Sequence, residues 1–103
     1  MALQLRPNCE YCDKDLPPHA PEARICSYEC TFCADCAENR LANVCPNCGG
    51  GFCPRPIRPK YNWNRGDYLG LYPASKMVKH RPVNLQVHQW FAQLLRSVPP
   101  SLR

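Results

Sequence analysis

The chain has 103 residues, among them 12 prolines and nine cysteines, with a formal net charge of +5. That length allows one small domain plus something extended, and excludes catalysts that need a large barrel. A core this small seldom holds a fold without a staple, and the cysteines are the obvious one.

The charge is divided unevenly. Residues 1–54 carry four basic side chains (Arg6, Lys14, Arg24, Arg40) and seven acidic ones, a balance of −3. Residues 55–103 carry nine basic side chains and one acidic (Asp67), a balance of +8. A basic tail of this kind suits nucleic acid, an acidic protein surface or the chain's own acidic head.

In chain order, the first stretch (MALQLRPN) lacks an apolar run long enough for a signal peptide or a membrane span. The expected compartment is therefore a reducing cytoplasm, without membrane contact. There, clustered thiols act as metal ligands rather than disulfides, and an odd cysteine count agrees.

The cysteines follow as Cys9-x2-Cys12-x13-Cys26-x3-Cys30-x2-Cys33-x2-Cys36-x8-Cys45-x2-Cys48. A Cys-x2-Cys pair is a natural metal bite, because a tight turn aims both thiolates at one tetrahedral ion. Eight thiolates divide into two closed sites of four, leaving no open position for a substrate water. The expected cofactors are two Zn²⁺, each contributing roughly 10–16 kcal/mol of apparent binding energy to folding. With both bound, the head's charge falls to about −7. The segments Arg24-Ile25 and Ser27-Tyr28 suit a short strand leading into the cluster. Cys33 to Leu41 runs from a ligand pair into a helix-friendly stretch, and Cys45-Pro-Asn-Cys48-Gly-Gly-Gly51 looks like a zinc knuckle. A ligand pair opening a helix, followed by another knuckle, is the pattern of a treble clef. The ninth thiol, Cys53, is a spare ligand or a reactive cysteine.

Prolines at 54, 56 and 59 predict an extended connector over 54–60. Residues 61–82 mix aromatic, glycine and basic residues without periodicity and are expected to be irregular. Tyr61, Trp63, Tyr68 and Tyr72 interleave with Arg58, Lys60 and Arg65. That mixture would serve nucleic acid, or it would wrap the acidic head. From Asn84 to Val98, apolar residues recur at three- and four-residue steps (Val87, Trp90, Phe91, Leu94, Leu95, Val98), which predicts an amphipathic helix. Asn84 is its expected N-cap and Pro99-Pro100 its stop. The helix either docks on the head or presents Trp90, Phe91, Leu94 and Leu95 to a protein partner. His19, His80 and His88 are scattered, and His88 is expected at the surface.

The ligand order, with Cys30-Thr-Phe-Cys33-Ala-Asp-Cys36 and the closing Cys45-Pro-Asn-Cys48, resembles a RING finger over residues 9–48. Cys30 stands where such fingers usually carry histidine. The resemblance implies a cross-brace: Cys9, Cys12, Cys33 and Cys36 on one ion, and Cys26, Cys30, Cys45 and Cys48 on the other. The chain is also similar to a family of small, uncharacterised bacterial cysteine-rich proteins over roughly residues 1–60. That similarity rests on MALQLRPNC, EARICSYECTFCADC and CPNCGG, and it implies a zinc fold and a bacterial cytoplasm without naming an activity.

The resulting expectation is a small zinc-stabilised α+β fold. A RING-like, treble-clef head spans 1–53, a proline-rich connector 54–60, and a basic aromatic tail 61–103 with a helix at about 84–98. Its function is that of a non-catalytic module binding another macromolecule, a protein first and nucleic acid through the tail second. A ubiquitin-ligase-like role is an alternative, with Tyr11, Leu41 and Val44 as contact residues. Against it, Gly49 stands where a basic residue usually follows the last ligand, and the usual tryptophan between the last two ligand pairs is missing. A small iron–sulfur or redox protein is another alternative: Cys26-x3-Cys30-x2-Cys33 matches the spacing of radical-SAM enzymes, though not their size.

Overall fold

The computed structural model describes residues 3–103. Its regular elements are brief: β1 (Ala23–Ile25), β2 (Thr31–Cys33), β3 (Cys53–Pro54) and α1 (Leu85–Leu95). They form a small α+β fold with an antiparallel sheet in the order β2-β1-β3.

Turn chemistry sets this sheet. β1 and β2 pair with Ile25 opposite Thr31, so Cys26 and Cys30 stand at the root of the hairpin loop. The Cys26 N–H donates to the Cys30 carbonyl (3.2 Å), and Glu29 turns the chain with a left-handed φ of 66°. That closure ends β1 at Ile25. Ser27 and Tyr28, expected to extend the strand, lie in the turn instead. β3 pairs Cys53 with Ile25 and Pro54 with Arg24 at the sheet's edge, where a proline is tolerated because no ladder N–H is needed. The start of the expected connector is thus strand. Arg55 continues the attachment, its N–H donating to the Ala23 carbonyl at 2.9 Å.

The core is small and sulfur-rich. Half of the twelve buried residues in its main cluster are cysteines; the others include Leu16, Phe32 and Leu41, with Tyr11, Phe52 and Val83 packed on it. So little hydrocarbon is weak support for a fold of this length.

Residues 55–84 contain no helix or strand. They are held by backbone bonds to the N-terminal segment: Ser75 N–H to Leu5 O (2.9 Å) and Arg81 N–H to Glu10 O (2.8 Å). α1 then starts behind Asn84, whose side chain accepts from the Gln86 and Val87 N–H groups. It ends at Leu95, earlier than expected, in a turn where the Val98 N–H donates to the Leu95 carbonyl.

α1 docks on the head by part of the face that hydropathy marks, Phe91 and Leu95, together with two residues that it does not. His88 and Ala92 are buried, and the His88 Nε2 lies 2.9 Å from the Val44 carbonyl. Because a carbonyl only accepts, that nitrogen carries the proton. His88, expected at the surface, is therefore an internal anchor. Phe91 and Leu95 close on Gly49, where an added Cβ would meet each at 3.0 Å. Val87, Trp90 and Leu94 are left in solvent, Trp90 with 76% of its surface exposed. Arg103 completes the attachment by donating to the Asn43 and Gly49 carbonyls at 2.9 and 3.1 Å.

Candidate metal centres

Three local devices bring the thiols together. In the first, the Asp13 N–H donates to the Cys9 carbonyl (2.9 Å) and Asp13 adopts a left-handed φ of 63°. The second repeats it 36 residues later: the Gly49 N–H donates to the Cys45 carbonyl (2.9 Å) with a φ of 78°. In each the residue after the second thiol makes the reversal, which glycine accomplishes without Cβ strain. The third is a change of element. Cys33 ends β2 and Cys36 opens a single wide helical turn, Cys36–Arg40, closed by the Leu41 N–H on the Cys36 carbonyl (2.8 Å).

Glu10 locks the first turn against β2. Its N–H donates to the Thr31 carbonyl (2.9 Å), and its carboxylate accepts from the Thr31 N–H and the Arg6 guanidinium, both at 2.7 Å. Neither Glu10 nor Arg6 belongs to the cysteine pattern, and no local sequence signal marks either for this role.

Two clusters result. The Sγ atoms of Cys9, Cys12, Cys33 and Cys36 lie within 4.8 Å of one another, and so do those of Cys26, Cys45 and Cys48. The edge of a tetrahedron with metal–sulfur bonds of about 2.3 Å is about 3.8 Å. The Cys12–Cys33 sulfur separation is 3.8 Å, far beyond a disulfide. Cys30 stands outside the second cluster's 4.8 Å set. Its sulfur accepts from Asn47 Nδ2 at 3.3 Å. Cys53 joins neither cluster; it is an exposed thiol on β3.

The electrostatics suit a dication. Burial pushes the Cys9 and Cys36 thiols above their ordinary range and lifts Cys26 to about 11. The Cys30 contact and then burial raise Cys45. Cys30 itself is held near 5, by the Cys45 thiol first and by Asn47 as well. Cys12, at the rim, sits below its ordinary value; against the cost of partial burial, the Lys14 backbone N–H favours its thiolate. Bare thiolates are costly in such a place, and a bound cation removes the cost by ionising thiols outright. Further N–H···S bonds run from Tyr28 to Cys26 (3.3 Å) and from Gly50 to Cys48 (3.4 Å). They orient sulfur as outer-shell groups do around metals. Four thiols and three thiols are thus placed where each set could hold a metal ion, consistent with zinc.

Of the four helix residues expected to meet a partner, Trp90 and Leu94 are well exposed, Phe91 is at the margin (37%), and Leu95 turns toward Gly49.

The class defined so far is a small cysteine-rich α+β protein with two thiol clusters able to take metal. The chain belongs to the family described as "Protein of unknown function (DUF1272)", which matches residues 2–58 and so takes in both clusters. It is also similar to an uncharacterised protein of Rhizobium meliloti (strain 1021), at 56% identity over 73 residues, 71% of this chain and 80% of that one. No solved structure matches the chain significantly. Among the described residues no helix is long and apolar enough to cross a membrane.

Proposed function

We propose that the chain is a non-catalytic zinc module with a RING-like, cross-braced head that holds two Zn²⁺ and acts by binding another protein. One observation carries the reading. The first and third ligand pairs gather in one cluster, while Cys26 of the second pair gathers with the fourth pair in the other. Strands of ligands that alternate in this way tie distant parts of a short chain together through metal. Cys30 is the eighth ligand in this reading, supported by the amide of Asn47, which lies between Cys45 and Cys48 and donates to the Cys30 sulfur at 3.3 Å. Sites filled by four thiolates offer no open coordination position, which favours a structural role over a catalytic one.

The protein-binding half of the proposal draws on α1, which keeps Val87, Trp90 and Leu94 in solvent on an otherwise anchored helix. Contiguous exposed apolar side chains of this size mark interaction surfaces. The ligase alternative has less support, since Leu41 and Val44 are fully buried and Gly49 follows the last ligand. Iron is the remaining competitor for the same thiols.

Cobalt substitution tests the ligand sets. Co²⁺ in a site of four thiolates gives strong visible bands, and two equivalents should be taken up. Cys12→Ser and Cys36→Ser should disturb one class of bound ion and Cys48→Ser and Cys30→Ser the other. If Cys12→Ser and Cys48→Ser act on the same ion, the alternating assignment is wrong.

A further inference from the structure

Residues 59–72 form a closed surface loop. The Leu69 N–H donates to the Pro59 carbonyl (2.9 Å), and the Arg58 guanidinium holds the Tyr72 carbonyl. Inside, the Gly66 N–H donates to Asn62 Oδ1 (2.8 Å), and the Tyr72 N–H donates to the Tyr68 carbonyl (2.9 Å). Tyr68 folds over Gly70 so closely that a Cβ there would lie 2.4 Å from the ring. Compact loops of this length with pinned ends are frequently functional.

Two of its aromatics are not packed. Tyr61 and Trp63 are 62% and 80% exposed, and they meet each other edge to face, with centroids 6.4 Å apart. The Lys60 ammonium sits 5.7 Å from the Tyr61 centroid. These rings do not wrap the head.

The charges point the same way. The ion pairs among the described residues are Arg6–Glu10, Lys14–Glu22, Arg24–Glu38 and Arg40–Asp35, all within the head. Among the described residues, none of the basic side chains beyond Pro54 has a carboxylate within 4.0 Å. Arg55, Arg58 and Arg103 are engaged by backbone carbonyls, whereas Lys60, over the Tyr61 ring, and Arg65 are exposed to solvent. The tail's charge does not neutralise its own head by contact, and it remains available to an outside polyanion.

We propose that this loop binds single-stranded nucleic acid. Trp63 and Tyr61 stack on unpaired bases, Lys60 and Arg65 meet the flanking phosphates, and the interleaved Asn62 and Asn64 offer amides to base edges. A lipid surface fits less well, because inserting Trp63 would drag Asn62, Asn64 and Asp67 toward hydrocarbon. A duplex fits less well too, since its base faces are already stacked. The loop lies beyond the segment matched by the family, so this binding is independent of the metal reading and can fail without it.

The test is fluorescence anisotropy with labelled oligo(dT), oligo(rU) and a mixed-sequence duplex, titrated with the full-length, metal-loaded protein over a range of salt. Either single strand should bind more tightly than the duplex, and the tighter of the two names the natural source. Trp63→Ala should weaken binding by about tenfold or more, the loss of one stacked base. The double variant Lys60→Gln/Arg65→Gln should flatten the salt slope by about 1.4, two phosphate contacts' worth on a single strand. Tyr28→Ala, an exposed aromatic of the head, should bind like the parent. Bound metal, measured on every variant, should stay unchanged. Absence of single-strand binding at the lowest salt would overturn the proposal. So would equal losses from Trp63→Ala and Tyr28→Ala, or binding confined to phosphatidylglycerol vesicles.

Discussion

Asn47 lies between Cys45 and Cys48, yet its amide serves a third thiol, donating to Cys30 Sγ at 3.3 Å. It is the contact that draws Cys30 toward the second cluster. Asn47→Ala should weaken metal at that cluster by about 10–100-fold, the usual effect of losing an outer-shell partner, and leave the first cluster alone. Competition with a chromophoric chelator resolves the two ions; equal affinity in parent and variant would remove Cys30 from the site. Arg55 is a second isolated case. Its buried guanidinium donates to the carbonyls of Arg6, Leu16 and Pro17 and has no carboxylate, and burial depresses its pKa. Arg55→Ala orphans those carbonyls and should cost about 2–4 kcal/mol in urea unfolding of the metal-loaded protein. Arg55→Lys should recover little, because one ammonium cannot reproduce a planar fork.

For the elements, α1 is the clearest example of what the residues disclose and what they withhold. Its existence was legible because the signals are local: the Asn84 cap, the three- and four-residue steps, and the prolines beyond. Its orientation was not. Hydropathy marks Val87, Trp90, Phe91, Leu94 and Leu95 alike, yet of these Phe91 and Leu95 close on the Gly49 turn, and the surface beside it offers a bare Val44 carbonyl. A donor and small side chains fit that surface, so His88 and Ala92 face inward. His88→Ala should therefore release the helix, a loss of about 1–3 kcal/mol for the orphaned buried carbonyl. Hydrogen exchange reads it directly: the amides of residues 88–95 should lose protection while those of β1 and β2 keep theirs. Unchanged protection would mean the apolar contacts alone hold the helix. The cysteine pairs were legible for the same reason as the helix, since a Cys-x2-Cys bite is local. The Glu10–Thr31 clamp and the reach of Arg55 join residues far apart in the chain, and no local pattern announces them.

Across the whole molecule the parts divide the labour unevenly. The radius of gyration is 14.5 Å, with extents of 45 × 27 × 20 Å. A compact chain of about 100 residues would have a radius near 13 Å. The excess agrees with a sulfur-centred head carrying a long, thinly attached remainder. Head and remainder also differ in charge, −3 against +8, and form no ion pair with each other among the described residues. Folding energy is therefore concentrated where the thiols are, and removing metal should unfold the head before anything else.

Cys9, Cys12, Cys26, Cys30, Cys33, Cys36, Cys45 and Cys48 are proposed to hold two zinc ions between them. The most direct measurement is metal identity and stoichiometry on untagged protein, by native mass spectrometry combined with elemental analysis. Two zinc ions per chain, and none of another metal, are expected. A single zinc, or iron accompanied by acid-labile sulfide, would contradict this assignment.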